Sequence, residues 1–368
     1  MQSYNKGEWS ELYAFFRLLR DGRIYAADEN ACRIDDIYLP IIKIIREETE
    51  GCRMEYSPGD VIRIYSNGNF VRDLPVAELE ENLQGMFPRI FQGAGEGQSG
   101  SFPIPEIEPL MDQMHVTKVK ASSTSKEDII MQVHDIATGY SPEVGFSIKS
   151  DVGSAPTLLN PGKNTRIRYR IHGLSDNDMQ HVNSIDKDVC REYMKERMVA
   201  LLERSDSIEY DGYRSNTYED NLIMIDSWLP RIYAEMVLMH YRKIGDGVYN
   251  CDELIGLVAD ENPLAYRNTN TYRYKLKKMV CAAALGMTPG SIWDGTDAAT
   301  GGYIIIKRDG DVLCYHLYNR NFFEEYLLTN TRLDRPSASR YDYGYVYADG
   351  GRKYIDLNVQ IRFKAIGS

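Results

Sequence analysis

Asp135, Ser147, Lys149 and Asp151 have the types and spacing that can do chemistry in this chain. They fall in two β-like segments, residues 129–135 and 144–149, separated by the turn-forming Thr138-Gly139-Tyr140-Ser141-Pro142. Side chains alternate along a strand, so Ser147, Lys149 and Asp151 share one face. If the two strands pair, Asp135 is expected to approach that face. A carboxylate and a lysine at a sheet edge can hold a hard divalent cation and steady an attacking water, as metal-assisted phosphodiester hydrolysis requires. Mg²⁺ takes oxygen ligands with at least one or two carboxylates. Asp135 offers one, and neutral Ser147 cannot offer the other. Glu11, on the first turns of an N-terminal helix, heads the candidates for the second acid. Asp151 follows, with Glu8 and Glu143 as further options, although Glu8 reads as a complement to the helix dipole. Lys149 follows Val-Gly-Phe-Ser-Ile in a strand that reads as internal, where an unpaired ammonium would be costly.

These residues need elements to hold them. Trp9, Leu12, Tyr13, Phe16 and Leu19 make an apolar stripe at helical spacing near the N-terminus. Residues 38–48 read as a second helix, 61–65 as a strand with an Asn67-Gly68 turn, and 79–86 as helix. Residues 1–92 are therefore expected to be a mainly helical region that contributes to the site, and 93–110 a linker. The Gly95-to-Gly100 run matches GxGxxG, but no strand precedes it, and Pro103 and Pro105 oppose a helix after it, so it does not read as a dinucleotide site. Residues 116–120, the two opening segments and 165–171 read as β. Residues 176–287 read as a helical insertion, with helices at 186–202, 219–243 and 272–285 and a kink at Pro230. A hairpin turning at Asp309-Gly310, a short helix over 322–328 and a hairpin around Asp349-Gly350-Gly351 close the chain. The fold class is α/β or α+β, with a mixed sheet core over 111–368 interrupted by the insertion.

At 368 residues, 43% hydrophobic and 26% charged, the composition is that of a globular protein. The polar start and the lack of any long uncharged apolar run point to the cytoplasm, with no membrane partner. Six scattered cysteines without a CxxC pair exclude a zinc ribbon. A net charge of −11 argues mildly against nucleic acid, yet a local basic groove can coexist with an acidic exterior. One such cluster lies in the C-terminal part, over about 300–363. Arg335, Ser337, Ser339 and Arg340 sit in a Pro- and Ser-rich loop, and Gln360 and Arg362 alternate with apolar neighbours on the last strand. Arg forks and Gln amides can read base edges in a major groove, and the alternative is a solvated basic loop.

Together these segments resemble the HpaII family of type II restriction endonucleases. The resemblance rests on blocks in order along the chain: residues 5–15 (NKGEWSELYAF), 25–30 (YAADEN), 145–150 (GFSIKS), 156–160 (PTLLN), 284–289 (ALGMTP), 300–303 (TGGY), 315–320 (YHLYNR), 336–340 (PSASR) and 357–363 (LNVQIRF). The hairpin is similar to the PD-(D/E)xK nuclease site, with Ser147 where an acid usually stands. The Gly7-x-x-x-Glu11 start is similar to the helix of archaeal Holliday-junction resolvases. The resemblance implies Mg²⁺-dependent cleavage of double-stranded DNA, with CCGG as the recognition sequence and a methyltransferase protecting host DNA. A palindromic site is most simply read by a homodimer. The alternatives are a structure-selective or repair nuclease with the same site, and a catalytically inert DNA-binding protein.

Overall fold

The structure, a computed structural model, describes residues 2–94, 100–119, 127–136, 138–153, 155–186, 188, 190, 192–316 and 320–364. The chain forms two compact units, one of residues 1–156 with 297–326 and one of 157–296 with 327–364. The fold class is mixed α and β, with helices and multi-stranded sheets in the chain.

The first unit begins with helix α1, Lys6–Asp21. Asn5 Oδ1 accepts from the Glu8 backbone N–H at 3.0 Å, and Glu8 Oε2 accepts from the Asn5 N–H at 2.9 Å, which closes a capping box. Glu8 is thus occupied as a cap. Gly22, at φ +61°, ends the helix in the left-handed conformation. Strands β1 (Arg23–Ala27), β2 (Arg33–Thr49), β3 (Cys52–Ser57), β4 (Val61–Ser66) and β5 (Asn69–Pro75) follow, then helix α2 (Val76–Gln92). Strands β6 (Ile129–Val133) and β7 (Glu143–Ser150), with the strands Gly302–Ile306 and Val312–His316, complete a nine-stranded sheet. Across it the strands run β1, Val312–His316, Gly302–Ile306, β7, β6, β2, β3, β4, β5. The apolar side of α1 meets one sheet face through Trp9, Leu12, Phe15, Phe16 and Leu19, opposite Ile44, Tyr56, Met131, Phe146, Ile148 and Ile304.

Phe15 is fully buried and meets the Tyr56 ring at a 5.0 Å centroid distance. Phe15→Ala should therefore lower stability by about 3–5 kcal/mol, seen as a lower urea midpoint at unchanged slope.

The expected helix at 38–48 is instead part of the long strand β2. The register slips between Ile41 and Lys43, a bulge that buries Ile41 and Ile44 three residues apart and mimics helical spacing. The β-branched run Ile41-Ile42-Lys43-Ile44-Ile45 decides for the strand. Residues 1–92 are therefore no separate helical region, because their five strands share a sheet with the β6–β7 hairpin. A domain boundary at 93–110 fails for the same reason. Residues 95–99 of that stretch lie outside the described residues. Beyond them Phe102, Ile104, Ile107 and Leu110 are buried in the core, and Phe102 exchanges backbone hydrogen bonds with Tyr4. Residues 116–119, expected as strand, carry no regular structure, and residue 120 lies outside the described residues.

The second unit holds a four-stranded sheet in the order Ser207–Tyr213, Ile167–His172, Arg352–Leu357, Val346–Asp349, and a three-stranded sheet in the order Thr331–Asp334, Gln360–Phe363, Thr157–Leu159. Its helices include Tyr193–Arg204, Leu229–Arg242, Cys251–Glu261 and Asn270–Leu285. The helical residues expected as an insertion in a nuclease core thus fold with the C-terminal strands as a unit of their own. The expected 219–243 helix breaks at residues 226–228, and Pro230 sits in the first turn of the next helix, where a missing N–H costs nothing. Among the described residues no helix is long and apolar enough to cross a membrane.

Candidate functional site

β6 and β7 pair antiparallel, with Gln132 opposite Glu143 and Ile129 opposite Phe146. Counting outward from the turn, the next position beside Ser147 belongs to Asp128. Its Oδ2 accepts from Ser147 Oγ at 3.2 Å and from the Ile148 backbone N–H at 2.7 Å, and it lies 3.9 Å from Lys149 Nζ. Lys149 Nζ also donates to Ser147 Oγ at 3.2 Å and lies 5.9 Å from the Tyr303 ring centroid. Asp128, Ser147 and Lys149 form one connected polar set at the open end of the hairpin.

Asp135 is not part of it. It lies at the turn end, where its N–H donates to Tyr140 O at 2.9 Å and its carboxylate accepts from the Thr138 hydroxyl. Antiparallel strands bring the start of one beside the end of the other, so Lys149 meets the residue before β6, not the one after it. Six residues of β7 separate the two ends, about 20 Å of strand. Glu143, opposite Gln132 at that far end, is held by Arg53 at 2.9 Å and Lys43 at 3.2 Å, and these partners keep its carboxyl below the usual range. Asp151 lies just past β7 with Arg308 Nε 3.5 Å from its Oδ2.

A cleft of about 810 Å³ opens at this end of β7. Glu11, expected as the second acid, lines it together with Lys149, Lys6 and Arg308. Lys6 Nζ donates to Phe91 O at 2.6 Å, and the lysine stem passes Gly93 and Gly153. Gly93 stands at φ +70°, a backbone conformation that favours glycine. Among the described residues three cations and one acid, Glu11, line this cleft, which favours an anionic ligand such as a phosphate.

Sequence reasoning missed Asp128, Glu127, Lys6 and Arg308. The signal for Asp128 was present, since two strands joined by a five-residue turn can only pair antiparallel. Glu127 stands beside Asp128 with its carboxyl raised by burial. Its side chain covers Gly145, where a Cβ would overlap the Glu127 Cδ and Oε1.

The residues expected to read bases all lie in the second unit. Ser337 caps the short helix Ala338–Tyr341, and its Oγ is 3.3 Å from that of Ser339. Arg340 stacks on Tyr341, with 5.4 Å from guanidinium carbon to ring centroid. Arg335 is exposed beside a cleft of about 390 Å³ with Tyr193, Tyr249 and Tyr343. Gln360 pairs with Asp334 across the three-stranded sheet, and Arg362 Nη1 lies 3.7 Å from Asp334 Oδ2. Ser337, Ser339 and Arg340 are thus one exposed group, while Arg362 is engaged within its own sheet.

The HpaII restriction endonuclease family model matches residues 5–363. The chain is 37% identical over 367 residues to a type II restriction enzyme HpaII of Haemophilus parainfluenzae, covering 98% of each sequence. No solved structure matches. By this near-complete agreement the chain belongs to the HpaII restriction endonuclease family, and it is a type II site-specific deoxyribonuclease.

Proposed function

We propose that the β6–β7 hairpin is the catalytic element of a PD-(D/E)xK-type fold, and that this chain hydrolyses double-stranded DNA at CCGG with Mg²⁺. The observation that carries this reading is the Asp128–Ser147–Lys149 set, whose Lys149 also lines a cleft with Lys6 and Arg308. Among the described residues no three or more His, Cys, Asp or Glu gather as a metal site. Mg²⁺ does not need three, because it keeps several waters and takes one or two carboxylates with phosphate oxygens. The donors beside Lys149 are the hard oxygens of Asp128 and Ser147, which suit this ion, while Glu11 lines the cleft from α1. When bound, the ion supplies charge neutralisation at the phosphate and acidifies a water.

The chain's own groups do the rest. Lys6 and Arg308 hold the phosphodiester in the cleft. Lys149 Nζ orients the attacking water and offsets the negative charge that develops on phosphorus-bound oxygen. Asp128 and Ser147 hold that ammonium in place. The water oxygen adds to phosphorus, one P–O ester bond breaks, and the displaced sugar oxygen takes up a proton. Arg335, Ser337, Ser339 and Arg340 read the bases or their flanking phosphates, with Gln360 on the neighbouring strand. The CCGG assignment rests on the family resemblance. A two-fold dimer reads this palindrome, in the cytoplasm, beside a methyltransferase that protects the host's own sites.

Plasmid digestion with Mg²⁺ tests the proposal. Discrete fragments mapping to CCGG are the expected result. A smear, or cutting confined to branched DNA, overturns it.

A further inference from the structure

The two segments that form the hairpin contain a compensation within themselves. β7 alternates, so Gly145, Ser147 and Lys149 project to one face, while Phe146 and Ile148 enter the core on the other. α1 packs against that core face, whereas Asp128 bonds to Ser147 on the opposite one. At Ser147 the strand lacks the second acid. One alternation step away it lacks a side chain altogether, at Gly145. The backbone there does not require glycine, because Gly145 lies within β7 and has no positive φ. What the glycine leaves there is space. A Cβ there would overlap the Cδ, Oε1 and Cγ of Glu127 as it is seated, so that flexible side chain would have to move. Glu127 and Asp128 both precede β6, and the seat of one over Gly145 and the bond of the other to Ser147 bring two carboxylates to the same face of β7.

Resting on the catalytic assignment above, we infer that Glu127 is the second carboxylate ligand of the divalent metal, seated over Gly145 in place of the acid missing at Ser147. The Glu127-Asp128 dipeptide and the Gly145-x-Ser147-x-Lys149 pattern then form one device. An acid is moved from the second strand to the first, and a glycine opposite makes room for it.

The test is a calorimetric titration of the full-length protein with Mn²⁺, without DNA, so that the readout is metal binding and not cleavage. Glu127→Gln keeps the shape and removes the charge. Gly145→Ala keeps the acid and fills its seat. Each should weaken Mn²⁺ binding by about tenfold or more, the scale on which groups around a metal act. The double variant should bind no more weakly than the weaker single one, since both remove the same ligand. Wild-type affinity in Glu127→Gln overturns the inference even if Gly145→Ala does not fold. Asp128→Asn separates the two levels. If it loses Mn²⁺ binding while Glu127→Gln does not, only the role of Glu127 fails. If Asp128→Asn also binds as wild type, the catalytic assignment fails with it.

Discussion

Lys149→Ala should lower the single-turnover rate of DNA cleavage by about three orders of magnitude and leave binding to a CCGG duplex within a few-fold of wild type. The size follows from the two tasks proposed above for its ammonium, orienting the water and stabilising charge in the transition state, which typically contribute a hundred- to several-thousandfold. The side chain is partly exposed toward the cleft and tied to Ser147 Oγ at 3.2 Å, so it is already aimed before substrate arrives. Binding should change little because one cation among many phosphate contacts contributes only a small share of affinity for DNA. Lys149→Arg should not restore the rate, since a planar guanidinium cannot take the place of a compact ammonium beside Ser147 and Asp128. Quenched-flow cleavage with duplex binding measured in the absence of divalent metal checks both halves. Cleavage at a tenth of the wild-type rate would remove Lys149 from the mechanism.

The second large effect is a contrast between two aspartates. Asp128→Asn should reduce cleavage by a hundredfold or more, about the cost of losing a preorganised charged group at the reacting centre. Its Oδ2 receives Ser147 Oγ, the Ile148 N–H and the approach of Lys149, so an amide in its place leaves those donors facing a partner without charge. Asp135→Asn should leave the chemical step within about tenfold of wild type and instead lower stability by about 1–3 kcal/mol. Asp135 is buried and accepts from the Thr138 hydroxyl in the hairpin turn, so its loss is felt as a loosened turn. Rates and urea midpoints of the two variants, measured side by side, decide. The reverse pattern would return the catalytic acid to the turn end of the hairpin.

That contrast also marks what could be read from the chain alone. The hairpin, its turn and the lysine face were legible because strand alternation and turn chemistry are local. The partner of Lys149 was legible in principle, and the error lay in direction: proximity in sequence to the turn was taken for proximity to the lysine, whereas antiparallel pairing runs the other way. The strand at residues 33–49 shows a different limit. Its bulge places buried isoleucines at helical spacing, so periodicity alone reads as an amphipathic helix and only the β-branched composition speaks for a strand. Once that segment is a strand, residues 1–92 and the hairpin belong to one sheet, and the expected domain boundaries give way.

By itself, the sequence determined the family, the helix that opens the chain with its capping box, the Ser147–Lys149 strand and the absence of an acid at Ser147. These depend on residue identity and short-range periodicity. Only the tertiary structure decided that Lys6 and Arg308 share the cleft of Lys149 and that the Glu127 side chain takes the space over Gly145. Those are relations between residues far apart in the chain or across a strand pair, set by register and by the volume each side chain occupies, and neither quantity is written in any local run of residues.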